Sequence, residues 1–476
     1  MLRSSFHKFA MGLVFTAMAS GCDVLTQDPP TAFTVDETYA DADRIQKSLF
    51  GVYDGLQDSE FLGGRALIYS DIRSDDTNQN STFFGNVPRY QQLSTDGTAL
   101  NAWAGGYRTI FAANSFIQNL AINQSKVSAA VAAQYTAEAK YVRALSLFTL
   151  VNLFAQPYNF TADASHLGVV IQLTAPKSGA EAFDDASLLP RSSVKEVYDQ
   201  IIKDLIDITP ALPATDSDPF SRVARASKGA AQGLLARVYL YKGDFANAAA
   251  TEKLIIDSGL YKLNASPATA FTSYTTAESI FSVAMNLQDN PNTNNAIGQH
   301  YGIGARGDIG ITGYTNIPVS VFAADDKRRS ADLIVKNAKG VPFTNKFTTV
   351  ANWVPIVRYP EVLLTRAEGL AQTTGVTAEA VSLLNQVRDR SKGAAVASYT
   401  VAGFANKQAL VDAILLERRL ELAFEGFRLY DLLRYKQGVA AHDGLPAIAY
   451  GDSKLIFPIP NRDILNNPKL VQNKDY

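Results

Sequence analysis

Three glutamates, Glu417, Glu421 and Glu425, recur four residues apart on the C-terminal side of the chain, a spacing that lines them along one helical face. Two carboxylates at a fixed separation are the equipment of glycoside hydrolysis, one protonating the leaving oxygen while the other attacks or activates water. Their neighbours argue for a structural use instead. Arg418, Arg428 and Arg434 stand three positions from Glu421, Glu425 or Asp431, with Leu422, Phe424, Phe427 and Leu432 interleaved, so the spacing predicts buried, locally paired charges. Gly302-Ile303-Gly304-Ala305-Arg306-Gly307 spells the glycine pattern of nucleotide loops. That pattern works only between a strand and a helix, and here Asn and Gly surround it.

A different chemistry belongs to aromatic side chains beside polar loops. Sugar rings stack their C–H faces on flat apolar surface while a few fixed donors and acceptors pair with hydroxyls. Trp103, Tyr301, Tyr314 and Trp353 are the candidates of this kind, although half-buried packing is the commoner use of both residue types. Hydroxyl partners are expected from the segment Asp71 to Asn78, with Arg73, Asp75 and Asp76 as ligand-binding groups; a solvated turn is the plainer alternative. The segment lacks the glycine and terminal glutamate of a calcium loop. His166, His300 and His442 are scattered and Cys22 is the single cysteine, so no metal site and no cofactor is expected.

Helices must position these groups. Leu49, Val52, Tyr53 and Leu56 recur at three- and four-residue steps, as do Tyr107, Ile110, Phe111, Asn114, Ile117 and then Tyr141, Leu145, Phe148, Val151, the signature of amphipathic helices. Between Ala226 and Leu260 two helices are expected to meet at Lys242-Gly243-Asp244; Tyr359 to Gln372 with Ala378 to Arg390 repeats the plan, and Val411 to Tyr435 offers a third pair. Their irregular spacing predicts degenerate tetratricopeptide-like pairs rather than a strict solenoid. Two stretches break the helical pattern, Ser59 to Thr98 and a loop-rich insert around residues 286–318, and loops of that length tend to carry function.

At the front, Arg3 and Lys8 precede an apolar run from Phe9 to Ala19 that ends in Ala19-Ser20-Gly21-Cys22. Eleven helical residues rise about 16 Å against a hydrocarbon core of roughly 30 Å, so the run reads as a signal peptide. Small residues before a lone cysteine resemble a lipobox, which makes residues 1–21 a lipoprotein signal, Cys22 the lipid attachment, 22–34 a tether around Pro29-Pro30, and 35–476 one domain. Removing residues 1–21, whose only charged side chains are Arg3 and Lys8, moves the formal charge from −2 to −4. No basic stripe is visible, and nucleic acid is excluded as a partner.

Longer motifs then carry a resemblance. The run Glu417-Arg418-Arg419-Leu420-Glu421-Leu422-Ala423-Phe424-Glu425-Gly426-Phe427-Arg428-Leu429-Tyr430-Asp431-Leu432-Leu433-Arg434 is similar to the signature region of the SusD/RagB family of outer-membrane nutrient-binding lipoproteins. Arg358-Tyr359-Pro360-Glu361-Val362-Leu363-Leu364, Asn385 to Arg390, the tail from Pro458 to Tyr476, and Trp103, Tyr107 and Asn114 near the front resemble it in the same order. The chain departs from the family at Pro360, where a small residue is common. The resemblance implies a mainly α, SusD-like fold whose helical pairs pack on a SusC-like TonB-dependent transporter, with irregular segments forming a shallow glycan site that includes the region of Asp71 to Asn78. The expected function is capture of an oligosaccharide at the cell exterior, without catalysis. A surface glycoside hydrolase and a scaffold that binds only protein are the alternatives; the scaffold leaves the long aromatic loops without a purpose.

Overall fold

The computed structural model describes residues 33–476; the proposed signal segment and Cys22 lie outside them. The helices are α1 (Ala42–Asp54), α2 (Arg65–Asp71), α3 (Gly97–Asn123), α4 (Ala129–Phe154), α5 (Val194–Ile208), α6 (Lys228–Lys242), α7 (Phe245–Asp257), α8 (Tyr359–Thr374), α9 (Ala378–Ser391), α10 (Lys407–Glu421) and α11 (Arg428–Arg434). Shorter turns of helix join them. Among the described residues the strands are short: β1 (Asn78–Gln79), β2 (Ser279–Val283), β3 (Ile309–Gly310), β4 (Ile334–Lys336), β5 (Pro342–Thr344) and β6 (Val354–Arg358), paired antiparallel as β1–β3, β2–β6 and β4–β5.

The helices pack in a train, α3 on α4, α4 on α5, α5 on α6, α6 on α7, α7 on α8, and α8 on both α9 and α10. Local chemistry explains where they begin and end. Ser193 and Glu196 close a capping box at the start of α5, satisfying donors that the first turn otherwise leaves free. The expected joint of the α6–α7 pair is present: Gly243 ends α6 at φ 80° and the Asp244 side chain accepts from Asn247 N–H, a left-handed stop followed by an N-cap. Thr377 and Asn406 cap α9 and α10 in the same way. Helix α4 buries residues on nearly every side because α3, α5 and α1 surround it.

Two expectations are corrected. Ser59 to Thr98 is not without helix, since α2 lies inside it with all seven residues buried; a helix buried all round shows no polar face for periodicity to reveal. The expected third helical pair is present as α10 and α11, but α10 ends at Glu421, where Phe424 at φ 65° and Gly426 at φ 82° turn the chain before α11. Glu425 therefore stands in a turn rather than on a helical face shared with Glu417 and Glu421.

The 286–318 insert is pinned to the body. Strand β3 pairs with β1, Asn78 opposite Gly310, and Ile297, Ile309 and Ile311 are buried. The β2–β6 ribbon passes from this irregular half into the helical train, with β6 running directly into α8.

Candidate functional site

The glutamates of the signature run are buried and held by cations from remote segments. Arg328 reaches Glu417 at 2.5 Å, Arg390 reaches Glu421 at 2.5 Å, Arg358 reaches Glu425 at 2.7 Å and Glu278 at 2.8 Å, and Lys346 reaches Glu425 at 2.8 Å. Of the expected local pairs only Arg434 with Asp431 forms, at 2.7 Å; Arg428 instead bonds Asp75. Burial alone would raise the Glu425 pKa, but Arg358 and Lys346 outweigh it and the carboxyl lies below its ordinary range. Burial raises that of Glu417 despite Arg328. These groups clamp β6, α9 and α10 together.

Several sequence candidates prove to be interior. Tyr301 is fully buried and donates to Asp71 Oδ2 at 2.9 Å, while Tyr314, 2 % exposed, donates to the Leu420 carbonyl at 2.9 Å. Neither offers a face to a sugar, because the apolar residues of the insert draw both rings beneath it. Arg73 is likewise buried, donating to the Tyr69 and Leu455 carbonyls over the Phe457 ring. Asp75 is bound by Arg428 and Arg419, and Asp76 by Arg419. The segment from Asp71 to Asn78 is thus neither a solvated turn nor a row of free hydroxyl partners; it ties the insert to the signature run. The glycine-rich stretch from Gly302 follows the short helix Ile297–Tyr301 and precedes β3, the reverse of a nucleotide loop.

Of the two tryptophans, both buried, Trp103 borders open space and Trp353 stands one ring behind it. Trp103, in the second turn of α3, packs on Tyr107 and Phe154 and borders a groove of 670 Å³ shared with Phe111, Phe183 and Arg462. Trp353 precedes β6; its indole N–H donates to the Met285 carbonyl at 2.8 Å and its ring stacks on Tyr274 at 5.2 Å. Trp353 also meets the edge of Phe220 at 5.3 Å, and through Phe220 it supports a second cavity.

That cavity, 440 Å³, lies between the end of α1, the short helix Pro219–Ala224, and β2 with the residues after it. Its size falls in the roughly 300–1,000 Å³ range of ligand sites. Phe50, 46 % exposed, and Phe220, 53 % exposed, line it together with Tyr53 and the buried Phe281. Polar groups stand among these rings. Gln57 donates to the Ala284 carbonyl at 2.7 Å, Asp54 and Asp289 are exposed, and Arg225 is held by Glu138 at 3.0 and 2.7 Å. Partial burial, and then the charge of Asp289, raise the Asp54 pKa. Flat apolar surface with a few hydroxyl acceptors is what a sugar requires. Sequence reasoning missed Phe50, although it stands off the buried stripe of Leu49, Val52 and Leu56, and an aromatic displaced from its helix's core face is a readable signal.

With this geometry in view, two family models match the chain: the one described as "SusD family" over residues 332–476 and the one described as "Starch-binding associating with outer membrane" over residues 32–240. A crystal structure of a SusD superfamily protein from Bacteroides fragilis is 30 % identical, covers 90 % of this chain and 99 % of its own, and superposes with a TM-score of 0.80. The chain belongs to the SusD/RagB family. Further comparisons agree along its length. SusD-like protein P2 of Formosa agariphila is 26 % identical over 95 % of this chain and 96 % of its own. A structure described as a putative sugar binding protein from Bacteroides vulgatus is 23 % identical, covers 91 % of this chain and 98 % of its own, and shares the fold at a TM-score of 0.76. The mainly α, tetratricopeptide-like reading of this SusD-like chain therefore holds, as does its place in a family described by carbohydrate binding and outer-membrane association.

Proposed function

We propose that the protein captures an oligosaccharide in the cleft between α1, the Pro219–Ala224 helix and β2, and passes it to a SusC-like TonB-dependent transporter at the outer membrane. The observation that carries the reading is the pair of exposed rings, Phe50 and Phe220, in a 440 Å³ space that also presents Asp54, Gln57 and Asp289. Family membership supports it, since one matching model is described by starch binding and a structural neighbour as a sugar-binding protein. Trp353 acts as the support of Phe220, and the Trp103 groove is open to a separate role.

Calorimetry of the purified protein against a glycan panel tests the site. A ring stacked on a sugar contributes about 0.5–1.5 kcal/mol beyond area burial. Phe50→Ala and Phe220→Ala are expected to weaken binding severalfold each and to leave the melting transition in place, because both side chains are largely exposed. Unchanged affinity in both variants would exclude the cleft. Hydrolysis is the second reading, favoured by Asp54, whose raised pKa suits a general acid beside Asp289. Chromatography after long incubation separates the two: intact sugar supports capture, and shortened products that vanish with Asp54→Asn would make the protein an enzyme.

A further inference from the structure

The charge of the cleft wall is one-sided. Asp54 is influenced by burial and by Asp289, with no cation contributing to its shift. Asp289 has the Gln57 amide at 3.4 Å as a weak neighbour. The cation that borders the cleft, Arg225, is engaged by both oxygens of Glu138, which also accepts from the Tyr53 hydroxyl at 2.7 Å. Its charge is matched inside the wall, so the cleft presents two carboxylates without a local counter-charge, set among the rings of Phe50, Tyr53, Phe220 and Phe281.

We infer that this cleft is a charge filter in which Asp54 and Asp289 admit uncharged saccharides and reject those bearing carboxylate or sulfate groups. The inference rests on the cleft being the glycan site. Sugar hydroxyls are donors, and an ionised carboxylate accepts from them with bonds stronger than neutral pairs give. An acidic sugar in the same place brings a like charge within a few ångströms of two others. Salt screens such contacts poorly, since the Debye length is about 8 Å at physiological ionic strength. Rejection of a competitor by like charge is a direct route to specificity, and this wall carries no opposing cation to cancel it.

The experiment titrates the full chain by calorimetry with gluco-, manno-, galacto- and xylo-oligosaccharides, and with oligogalacturonates, oligoalginates and sulfated galacto-oligosaccharides. Wild type is expected to bind within the uncharged set alone, severalfold more weakly when Phe220→Ala is present. The double variant Asp54→Asn with Asp289→Asn is expected to bind the acidic counterpart of the best uncharged ligand at least about tenfold more tightly than wild type does, a gain of about 1.4 kcal/mol. Asp289→Asn alone, at an exposed position, gives the same direction should the double variant fold poorly. An acidic oligosaccharide that wild type binds, and that Phe220→Ala weakens, would overturn the filter and leave the cleft standing. Acidic ligands rejected equally by wild type and the Asn variants would do the same. Silence in both sets, or indifference to Phe220→Ala, would overturn the cleft assignment and the filter with it.

Discussion

Glu421 sits among three guanidiniums, Arg390 at 2.5 Å, Arg358 at 3.4 Å and Arg328 at 3.8 Å. Burial opposes its ionisation, but the combined field of Arg390, Arg358 and Arg328 prevails and holds the carboxyl well below its ordinary 4.5. A carboxyl whose folded pKa lies below its unfolded one contributes stability that is complete above the unfolded value and fades as the pH falls toward the folded one. Glu421→Gln leaves the guanidiniums short of a counter-charge, so it is expected to cost about 3–5 kcal/mol near neutral pH. The gap between variant and wild type should narrow below pH 4.5. Urea unfolding of both proteins across that range checks it, and a gap independent of pH would show that the charge of Glu421 is not what stabilises the fold. Its residue type and its apolar neighbours made burial legible in the sequence. Its partners, Arg328, Arg358 and Arg390, were not, because ion pairs between remote segments leave no periodic trace. Tyr301 failed for a related reason: polar loop context suggested a surface, whereas Ile297, Ile309 and Ile311 anchor the insert and carry the ring inward.

At the scale of elements, two glycines show how the helical train is held. Gly243 ends α6 in the left-handed region, and a Cβ there would meet nothing within 4 Å, so Gly243→Ala carries only a backbone cost of about 1–2 kcal/mol. Gly369 lies on α8 against α7, where a Cβ would come to 2.6 Å from the Phe245 carbonyl oxygen and 2.8 Å from the Ala249 Cβ. Backbone cannot rotate away, so Gly369→Ala must part the two helices. A cost at or above the upper end of the about 1–3 kcal/mol typical of overpacking is expected. Thermal melts of both variants test the ranking, and Gly369→Ala melting at or above Gly243→Ala would refute the close approach. The joint at Gly243 and Asp244 was readable because left-handed stops and N-caps have strong residue preferences. Helix α2 was not, since uniform burial removes the polar face on which periodicity depends, and the placing of the turn right after Glu421 was not, since the four-residue spacing of Glu417, Glu421 and Glu425 fits an unbroken helix.

The whole molecule joins a helical train to an irregular half through β2–β6 and the buried ion cluster, and the proposed cleft opens at that junction. No described helix is long and apolar enough to cross a membrane. Attachment at the outer membrane through lipid on Cys22 and attachment through the transporter partner make different predictions. A lipid anchor contributes about 0.8 kcal/mol per buried methylene irrespective of any partner, so Cys22→Ser is expected to release the protein from washed membranes of cells lacking the transporter, while wild type stays bound. In cells that contain the transporter, Cys22→Ser should be retained only as far as protein contacts allow, and should dissociate when the transporter is extracted. Fractionation with immunoblotting reads both strains, and mass spectrometry of the wild-type N-terminal peptide reads the acyl group. Membrane retention of Cys22→Ser without the transporter, or an unmodified Cys22 in the membrane fraction, would remove the lipid from the account and leave the attachment of this glycan-binding fold to its protein surfaces.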